Sequence, residues 1–355
     1  MKKKSFFILP FLLFLSLSCV TKRLDPTQFS WQPVETGASA SLRGIFVLNE
    51  NEIWISGSGG FCARSADAGA SWQKMKIPGA DSLDFRDVQV FPGGVVYLLS
   101  AGGGGSSRIY KSADNGKSWI LQFQNPHRQG FFSAMAFWDA ATGLAFSDPV
   151  DGKFVIIKTE NGGKNWREID PANIPPAQEG EYAFAAGGTC LITQGRENAW
   201  FGSGGAAARV FRTTDQGETW QAAATPVSCG NQSSGIFSLS FLDAQNGIAV
   251  GGDYRQPDRT KINIAKTTDG GITWRPVADS HKLTYRSCVT FLPRPYSNYL
   301  IAVGRSGCDY SADGGETWHT FSKTGYYTMS FAKSGLTGWA AGSNGRVAKF
   351  RYRRK

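Results

Sequence analysis

The sequence has little of what would hold a metal, a nucleotide or a nucleic acid. Its six cysteines include no Cys-x-x-Cys pair and none with an obvious histidine partner, so neither a zinc clip nor a thiol active site is expected. The glycine run 102–105 lacks the Lys-Ser/Thr ending of a phosphate-binding loop. No basic run is longer than 351–355, and no nucleic-acid module accompanies it. We therefore expect no cofactor, no metal and no nucleic-acid partner.

The remaining composition is that of a soluble globular protein rich in turns and aromatic residues. The chain has 355 residues with 43 glycines, 11 tryptophans and 24 phenylalanines, and 19% of its residues are charged. These values argue against disorder and against a membrane-embedded body. The formal net charge is +10, and without the lysines at positions 2–4 it is about +7. Such a mild excess is typical of a solvated surface.

Residues 1–18 predict a signal peptide. Lysines at 2–4 precede an apolar stretch over 6–17, and small residues follow at the cleavage point. The stretch is too short to span a bilayer comfortably. Cys19 directly after Ser18 resembles the lipidated cysteine of a bacterial lipobox, although Ser16 stands where a branched aliphatic residue is usual. We expect export to the cell envelope or periplasm, or secretion, with Cys19 lipidated; the alternative is an ordinary signal peptide with an incidental cysteine.

Five cysteines remain after Cys19, at positions 62, 190, 229, 288 and 308. An odd number permits at most two disulfides. Cys190 with Cys229 is the one plausible pair. The alternative is that these residues are small buried thiols.

Six copies of one motif, Ser/Thr-x-Asp-x-Gly-x-x-Trp, run through the chain. Their acidic or amide positions are Asp67, Asp114, Asn161, Asp215, Asp269 and Asp313. Successive motif tryptophans are 47, 47, 54, 54 and 44 residues apart. A period of roughly 40–50 residues is that of propeller blades.

The chemistry of this motif is local. An Asp or Asn in a tight turn accepts hydrogen bonds from backbone amides a few residues on, and the glycine supplies the positive φ. The Ser or Thr hydroxyl bonds to the same turn, and the Trp opens the next strand and packs against the neighbouring sheet. Because the carboxylates are used by their own turns, we do not expect them to be catalytic.

Between the motifs the pattern is that of four short strands per unit. After the sixth motif, residues 327–331, 339–342 and 346–351 supply three further strands, and residues 30–34 resemble the strand that follows each motif. The prediction is an all-β, seven-bladed propeller of four-stranded antiparallel blades, closed by the N-terminal strand in the last blade. Residues 19–30 would be a tether and 31–355 a single domain.

The series of motifs resembles the Asp-box, or sialidase-type, repeat superfamily. Over residues 31–351 the chain is similar to the bacterial propellers related to the photosystem II stability and assembly factor, as in 246–252 with 266–274 and in 338–342 with 345–347. The resemblance implies the propeller fold. It leaves function open, because the same blade serves sialidases, other glycosidases, sorting receptors and assembly factors.

A functional site is expected on the face opposite the Asp boxes, around the central channel. The loops of that face are rich in arginine and tyrosine, and we expect a ligand to contact Arg43, Arg86, Tyr254, Arg286 and Arg305. Several guanidinium groups at one channel mouth suit an anionic ligand or an acidic peptide terminus. The alternative is that each arginine pairs with a neighbour such as Asp87 and ties blades together.

Carboxylates and tyrosines on the same loops are candidates for catalysis. A glycosidase would use two of Asp148, Glu181 and Asp253 facing each other, or Tyr326 or Tyr327 as a nucleophile backed by an acid. A sialidase would have six blades and an Arg-Ile-Pro segment, which this chain lacks near its first blade.

The sequence is therefore compatible with two functions. The first is a non-enzymatic, monomeric, exported propeller that binds a protein or peptide partner at its channel face and acts as a scaffold or assembly factor. The second is a glycoside hydrolase. A channel mouth filled by side chains would favour the first, and a facing carboxyl pair with room for a sugar would favour the second.

Overall fold

The structure is a computed structural model that describes residues 23–353. The predicted signal peptide and the lipidation at Cys19 lie outside the described residues. Between residues 23 and 353 no helix is long and apolar enough to cross a membrane. Helical structure in this part of the chain is confined to three single 3-10 turns, at Pro26–Gln28, Gly104–Ser106 and Pro171–Asn173.

Seven antiparallel sheets surround a central channel, and we number them as blades 1 to 7 in chain order. Each begins with the strand that lies beside the channel and contacts the first strands of the neighbouring blades. Blades 1 to 3 comprise Leu42–Val47, Ile53–Gly57, Cys62–Ser65 and Gln73–Lys74; Phe85–Phe91, Val95–Ser100, Arg108–Ser112 and Ile120–Gln124; and Phe132–Phe137, Gly143–Val150, Lys153–Thr159 and Arg167–Glu168.

Blades 4 to 6 follow the same order. They comprise Leu191–Gln194, Asn198–Gly202, Arg209–Thr213 and Gln221–Ala224; Ser234–Phe241, Gly247–Asp253, Ile264–Thr267 and Arg275–Pro276; and Cys288–Phe291, Leu300–Gly304, Gly307–Ser311 and His319–Ser322. The two short strands Glu181–Tyr182 and Gly204–Gly205 extend the sheet of blade 5 beyond its first strand. The predicted seven-bladed, all-β fold is confirmed.

Blade 7 joins the two ends of the described chain. Its strands are Thr328–Phe331, Gly338–Ala341 and Val347–Tyr352, followed at the outer edge by the N-terminal strand Phe29–Val34. Phe29 lies opposite Tyr352 in an antiparallel pair. The predicted closure by the N-terminal strand is therefore confirmed.

The folded part of the chain begins before residue 31, where we expected the domain to start. Leu24 is buried, its N–H donates to the hydroxyl of Tyr299 at 2.7 Å, and that hydroxyl donates back to the carbonyl of Leu24 at 3.0 Å. Residues 24–30, which we placed in the tether, thus lie on the propeller. The apolar side chain of Leu24 makes this docking favourable.

The hydrophobic core lies between blades. The second strand of each blade is buried on both faces, as in Ile53–Gly57, and its large side chains pack against the next blade. Trp200 of blade 4, for example, stacks on Phe241 of blade 5 with ring centroids 3.8 Å apart. Such aromatic pairs stabilise the ring beyond simple burial.

The Asp boxes have the predicted local chemistry. In blade 1 the hydroxyl of Ser65 donates to Asp67 and accepts from the N–H of Gly69, both at 2.8 Å. Asp67 also accepts from the backbone and hydroxyl of Ser71 at 2.9 and 2.5 Å. These hydrogen bonds hold the pKa of Asp67 at about 2. Its carboxylate is therefore fully used by its own turn.

The box glycine has a second role that the sequence did not reveal. Gly69 has φ of +88°, and a Cβ on it would lie 2.2 Å from the ring of Trp339 in blade 7. Gly116 approaches Trp54 of blade 1 in the same way, and Gly271 approaches Trp200 of blade 4. Each box thus fastens its blade to the blade before it.

No disulfide forms between Cys190 and Cys229, so that expectation is wrong for the described structure. All five described cysteines are free; Cys190 is buried and Cys229 is exposed. The alternative, small buried thiols, applies to Cys62, Cys190, Cys288 and Cys308. Burial raises the pKa of each of these four thiols, to about 12 for Cys308.

Candidate functional site

The channel mouth opposite the Asp boxes is crossed by residues 183–189, which we call the channel segment. This segment lies between Glu181–Tyr182 and the first strand of blade 4. At its start, the N–H of Ala183 donates to Asp148 of blade 3 at 2.8 Å. At its end, the carbonyl of Thr189 accepts from the N–H of Leu239 in blade 5 at 2.9 Å.

Side chains of three further blades hold the middle of the channel segment. Arg86 of blade 2 donates to the carbonyl of Ala185 at 3.0 Å, and Arg43 of blade 1 donates to that of Ala186 at 3.2 Å. Thr328 of blade 7 donates to the carbonyl of Gly187 at 3.2 Å. The mouth is therefore partly filled, and the segment is tied to five of the seven blades.

A cavity of about 420 Å³ remains above the channel segment. It is lined by Arg43, Arg86, Phe131, Asp148, Tyr182, Ala183, Phe184, Ala185, Ala186, Gln232, Phe237, Tyr254, Tyr285, Arg305 and Tyr327. Arg43, Arg86 and Phe237 lie in first strands, Asp148 lies in a second strand, and Tyr182 lies in the short strand Glu181–Tyr182. The others belong to the channel segment, to loops that lead into first strands or to turns between second and third strands. The predicted face therefore carries a cavity of the size that small ligands or peptide ends occupy.

Three arginines give this cavity its charge. The guanidinium of Arg43 lies over the ring of Tyr327, 4.3 Å from its centroid, and that of Arg305 lies 5.6 Å from the same ring. Arg86 pairs with Asp84 at 2.8 Å. Burial, and next the nearby charge of Arg86, lower the pKa of Arg43 from its ordinary value. A further anion at this point would relieve that repulsion.

Asp148 is the one carboxylate among the residues that line the cavity. Burial raises its pKa to about 6, although the hydrogen bond from Ala183 partly offsets this effect. The group thus begins to lose its negative charge within a pH unit of neutrality. Three arginines and this single carboxyl line the cavity, so the lining is positively charged even when Asp148 is ionised.

Part of the cavity lining is aromatic. Phe184 of the channel segment stacks on Phe237 of blade 5, with ring centroids 4.1 Å apart. Tyr254 meets both rings edge-on, and Tyr285 meets Phe237 in the same way at 4.9 Å. These rings can pack against apolar side chains beside the arginines.

Six of the ten predicted site residues come together at this cavity: Arg43, Arg86, Asp148, Tyr254, Arg305 and Tyr327. The alternative reading, in which arginines tie blades together, holds in part, because Arg43 and Arg86 anchor the channel segment. Arg86 pairs with Asp84 and not with Asp87, whose carboxylate accepts from the N–H of Met135 at 2.9 Å.

Two predicted residues are used in buried ion pairs and do not line the cavity. Glu181 is buried and accepts from both Nε and Nη2 of Arg209. Arg286 is buried beside Asp309, with Nε 2.5 Å from the carboxylate. Their charges are neutralised inside the protein, so the expectation that a ligand contacts Arg286 is corrected.

Asp253 and Tyr326 also lie away from the cavity. Asp253 accepts from the N–H of Arg255 at 2.9 Å and from Asn231 at 3.3 Å, which makes it part of a loop turn. Tyr326 is buried against the ring of Trp31, with centroids 5.6 Å apart. Of the three carboxylates considered for glycoside hydrolysis, only Asp148 lines the cavity.

Sequence reasoning missed the channel segment, including Phe184, and the paired Phe237. A signal existed in the spacing of 54 positions from Trp166 to Trp220, against 47 for the two preceding spacings, although the next spacing is also 54. The small residues at 185–188 are what permits the chain to pass through a narrow channel. The sequence alone does not say where this extra length goes.

Comparisons with known proteins agree with this architecture. Residues 15–151 match the family model described as "Photosynthesis system II assembly factor YCF48", and residues 211–222 and 309–320 match that of the BNR/Asp-box repeat. A search of curated protein sequences finds no significant match. The chain is thus an Asp-box propeller that resembles the assembly-factor group, as its repeats predicted.

Solved structures share the fold at low sequence identity. A structure described as "YCF48 bound to D1 peptide" is 15% identical with a TM-score of 0.66, covering 94% of this chain and 99% of that one. YCF48 from Cyanidioschyzon merolae is 18% identical with a TM-score of 0.65, covering 90% and 98%. The GH74 enzyme of Niastella koreensis is 16% identical with a TM-score of 0.61; the match covers 89% of this chain but 53% of the enzyme.

Proposed function

We propose that this propeller binds a protein or peptide partner at its channel mouth and acts as a scaffold or assembly factor. The observation that carries the proposal is the group of three arginines, Arg43, Arg86 and Arg305, around one cavity with a partly aromatic lining. Guanidinium groups form paired hydrogen bonds with carboxylates. The ligand is therefore an acidic segment or a C-terminal carboxylate, with an apolar side chain packed beside it.

The fixed position of the arginines supports this function. Arg43 and Arg86 each place one nitrogen on a carbonyl of the channel segment, and Arg43 also rests on Tyr327. A side chain that is held before binding loses less conformational freedom when the ligand arrives. The cavity is thus prepared for an anion without rearrangement of the blades.

A peptide ligand also agrees with one structural neighbour. The YCF48 structure is described as bound to a D1 peptide, which is a statement about that protein. We extend to this chain only the kind of ligand, a peptide. Photosystem assembly is not part of this proposal.

We further propose that the chain is exported through residues 1–18, held in the cell envelope by a lipid on Cys19, and monomeric. The support is the sequence pattern of that segment. Metabolic labelling with a radioactive fatty acid would test lipidation. Label in the wild-type chain and none in Cys19→Ala is expected; equal label in both would exclude Cys19 as the acceptor.

Peptide binding is tested with fluorescein-labelled octapeptides that end in Asp or Glu, each as the free acid and as the C-terminal amide. Fluorescence anisotropy should show binding of the free acid that is roughly 10-fold weaker in Arg43→Gln or Arg305→Gln. Arg196→Gln, an exposed change between the first two strands of blade 4, is the matched control. Equal affinity in all four proteins would refute the proposed site.

The same preparation tests glycoside hydrolysis. A screen of aryl glycosides should show no turnover that depends on Asp148. Hydrolysis that disappears in Asp148→Asn would replace the binding function with an enzymatic one.

A further inference from the structure

The two ends of the described chain meet at the rim of the propeller, far from the channel. The N-terminal strand Phe29–Val34 is the outermost strand of blade 7 and pairs with Val347–Tyr352. Ser30 lies opposite Arg351, and Phe29 lies opposite Tyr352. Phe29 and Tyr352 therefore lie side by side at the same outer edge of the propeller.

Basic residues accumulate at this edge. Residues 349–355 contain five lysines and arginines and no acidic residue, and Lys22 and Arg23 precede the N-terminal strand. Among the described residues of this edge, Arg23, Arg351 and Arg353 are exposed. The acidic residues of the adjoining N-terminal stretch are Asp25 and Glu35. The edge is thus strongly positive, whereas the chain as a whole is only mildly basic.

A surface groove of about 380 Å³ lies along the paired strands Phe29–Val34 and Val347–Tyr352. It is lined by Ser30, Trp31, Gln32, Arg351, Tyr352 and Arg353. The ring of Trp31 packs inward on Phe321, Tyr326 and Phe350, so the groove presents mainly the exposed Arg351 and Arg353. Guanidinium groups bind the phosphates of lipid headgroups. We call this groove and its basic residues the terminal groove.

The terminal groove is close to the proposed lipid anchor. Leu24 is buried and held by both hydrogen bonds to Tyr299. Cys19 is five residues earlier, so even a fully extended chain places it within about 18 Å of Leu24. A lipid on Cys19 would leave no long tether, and the rim of blade 7 would rest near the bilayer.

We propose that the terminal groove docks this protein onto a bilayer surface that contains anionic phospholipid. A basic surface beside a lipid anchor adds electrostatic attraction to anionic headgroups and orients the protein on the bilayer. Because the groove is on the rim, the channel axis would run parallel to the bilayer. The peptide-binding mouth would then open sideways, beside the membrane surface.

The inference deepens the proposed anchoring, and its test removes the lipid so that the groove is measured alone. Residues 23–353 contain the complete closed ring, so a chain that begins at Val20 is expressed without the signal segment. Its sedimentation with vesicles of phosphatidylcholine and phosphatidylglycerol is compared with that on pure phosphatidylcholine. Wild-type chain should bind the anionic vesicles selectively and be released by salt.

The double variant Arg351→Gln/Arg353→Gln should bind anionic vesicles roughly 10- to 30-fold more weakly. The matched control, Arg128→Gln/Arg196→Gln, removes the same charge from exposed positions in other blades and should bind as wild type does. Circular dichroism of both variants shows that the ring is folded.

Two results would overturn the proposal: no preference of the wild-type chain for anionic vesicles, or an equal loss in the control pair. Peptide binding, measured on the same samples without vesicles, should be unchanged in both double variants. Failure of the terminal groove and failure of the channel-mouth function are therefore separate outcomes.

Discussion

Arg43 of blade 1 and Tyr327 of blade 7 meet at the channel mouth, with the guanidinium carbon 4.3 Å from the centroid of the ring. The contact joins the first blade to the last on the face opposite the Asp boxes. Arg305 of blade 6 approaches the same ring at 5.6 Å. One tyrosine thus orients two of the three cations that we assign to ligand binding.

Replacing this ring should weaken binding without opening the propeller. Tyr327→Leu removes cation–π contacts of about 0.5–2 kcal/mol, so affinity for the acidic octapeptides should fall roughly 2- to 30-fold. Tyr327→Phe keeps the ring and is the matched control. Anisotropy titrations check both, and equal affinities for the Leu and Phe variants would show that the ring does not position the arginines.

Protonation of Asp148 should strengthen binding of an anionic ligand at mildly acidic pH. Burial raises the pKa of this carboxyl to about 6, so its negative charge is present above that pH and lost below it. The acidic ends of the octapeptides have pKa values near 4 and stay charged at pH 5. Affinity should therefore be higher at pH 5 than at pH 7.5, and Asp148→Asn should remove most of this difference.

The raised pKa of Asp148 also makes the stability of the protein depend on pH. Its folded-state pKa lies above the unfolded value of about 4, so the carboxyl ionises more readily in the unfolded chain. The stability that Asp148 contributes is therefore fully present at low pH and is lost as pH rises towards 6. Asp148→Asn should thus stabilise the protein more at pH 8 than at pH 4.5, by up to about 3 kcal/mol. Urea unfolding at the two pH values measures this difference; an equal change at both would contradict the assigned pKa.

The fold was accessible from the sequence because its signals are local and repeated. Each Asp box, such as Ser65 to Trp72, contains all of the atoms of its own turn, and strand alternation supplies the blades. The closure of blade 7 by the N-terminal strand could also be predicted, because residues 30–34 resemble the strands that follow the boxes. Contacts between blades, such as Gly69 with Trp339, could not be predicted, because they depend on how neighbouring sheets approach.

The site was only partly accessible for the same reason. Placing Arg43 and Arg305 on one face required only the alternation of turns between the two faces. Whether a charged side chain points into the cavity or into a blade depends on its partner across the sheet. Arg286 pairs with Asp309 and Glu181 pairs with Arg209. The partners are far apart in the sequence, so no local pattern predicts either pair. The course of the channel segment is a further long-range property.

The contact between Gly69 and Trp339 predicts a cost of substitution in the Asp box. A Cβ at Gly69 would lie 2.2 Å from the indole at φ of +88°. Gly93 has φ of +85° with no atom within 4 Å of such a Cβ, and so it is the matched control for backbone strain. Gly69→Ala should destabilise the protein by about 1–3 kcal/mol more than Gly93→Ala in urea unfolding. Equal losses would mean that the indole moves away freely.

Substitution of Arg286 should lower stability and substitution of Arg305 should lower affinity, although both residues were expected at the ligand site. Arg286 forms a buried pair with Asp309, so Arg286→Ala leaves a buried carboxylate without its partner and should cost about 3–5 kcal/mol. Arg305→Ala removes an arginine that lines the cavity, where the expected loss is affinity for the octapeptide with little change in unfolding. Urea unfolding and anisotropy are measured on both variants under conditions where each is folded. Folded Arg286→Ala should retain wild-type affinity, because the side chain of Arg286 does not reach the cavity. Weakened affinity in Arg286→Ala together with unaltered affinity in Arg305→Ala would place the anion site beside Arg286 and not at the channel mouth.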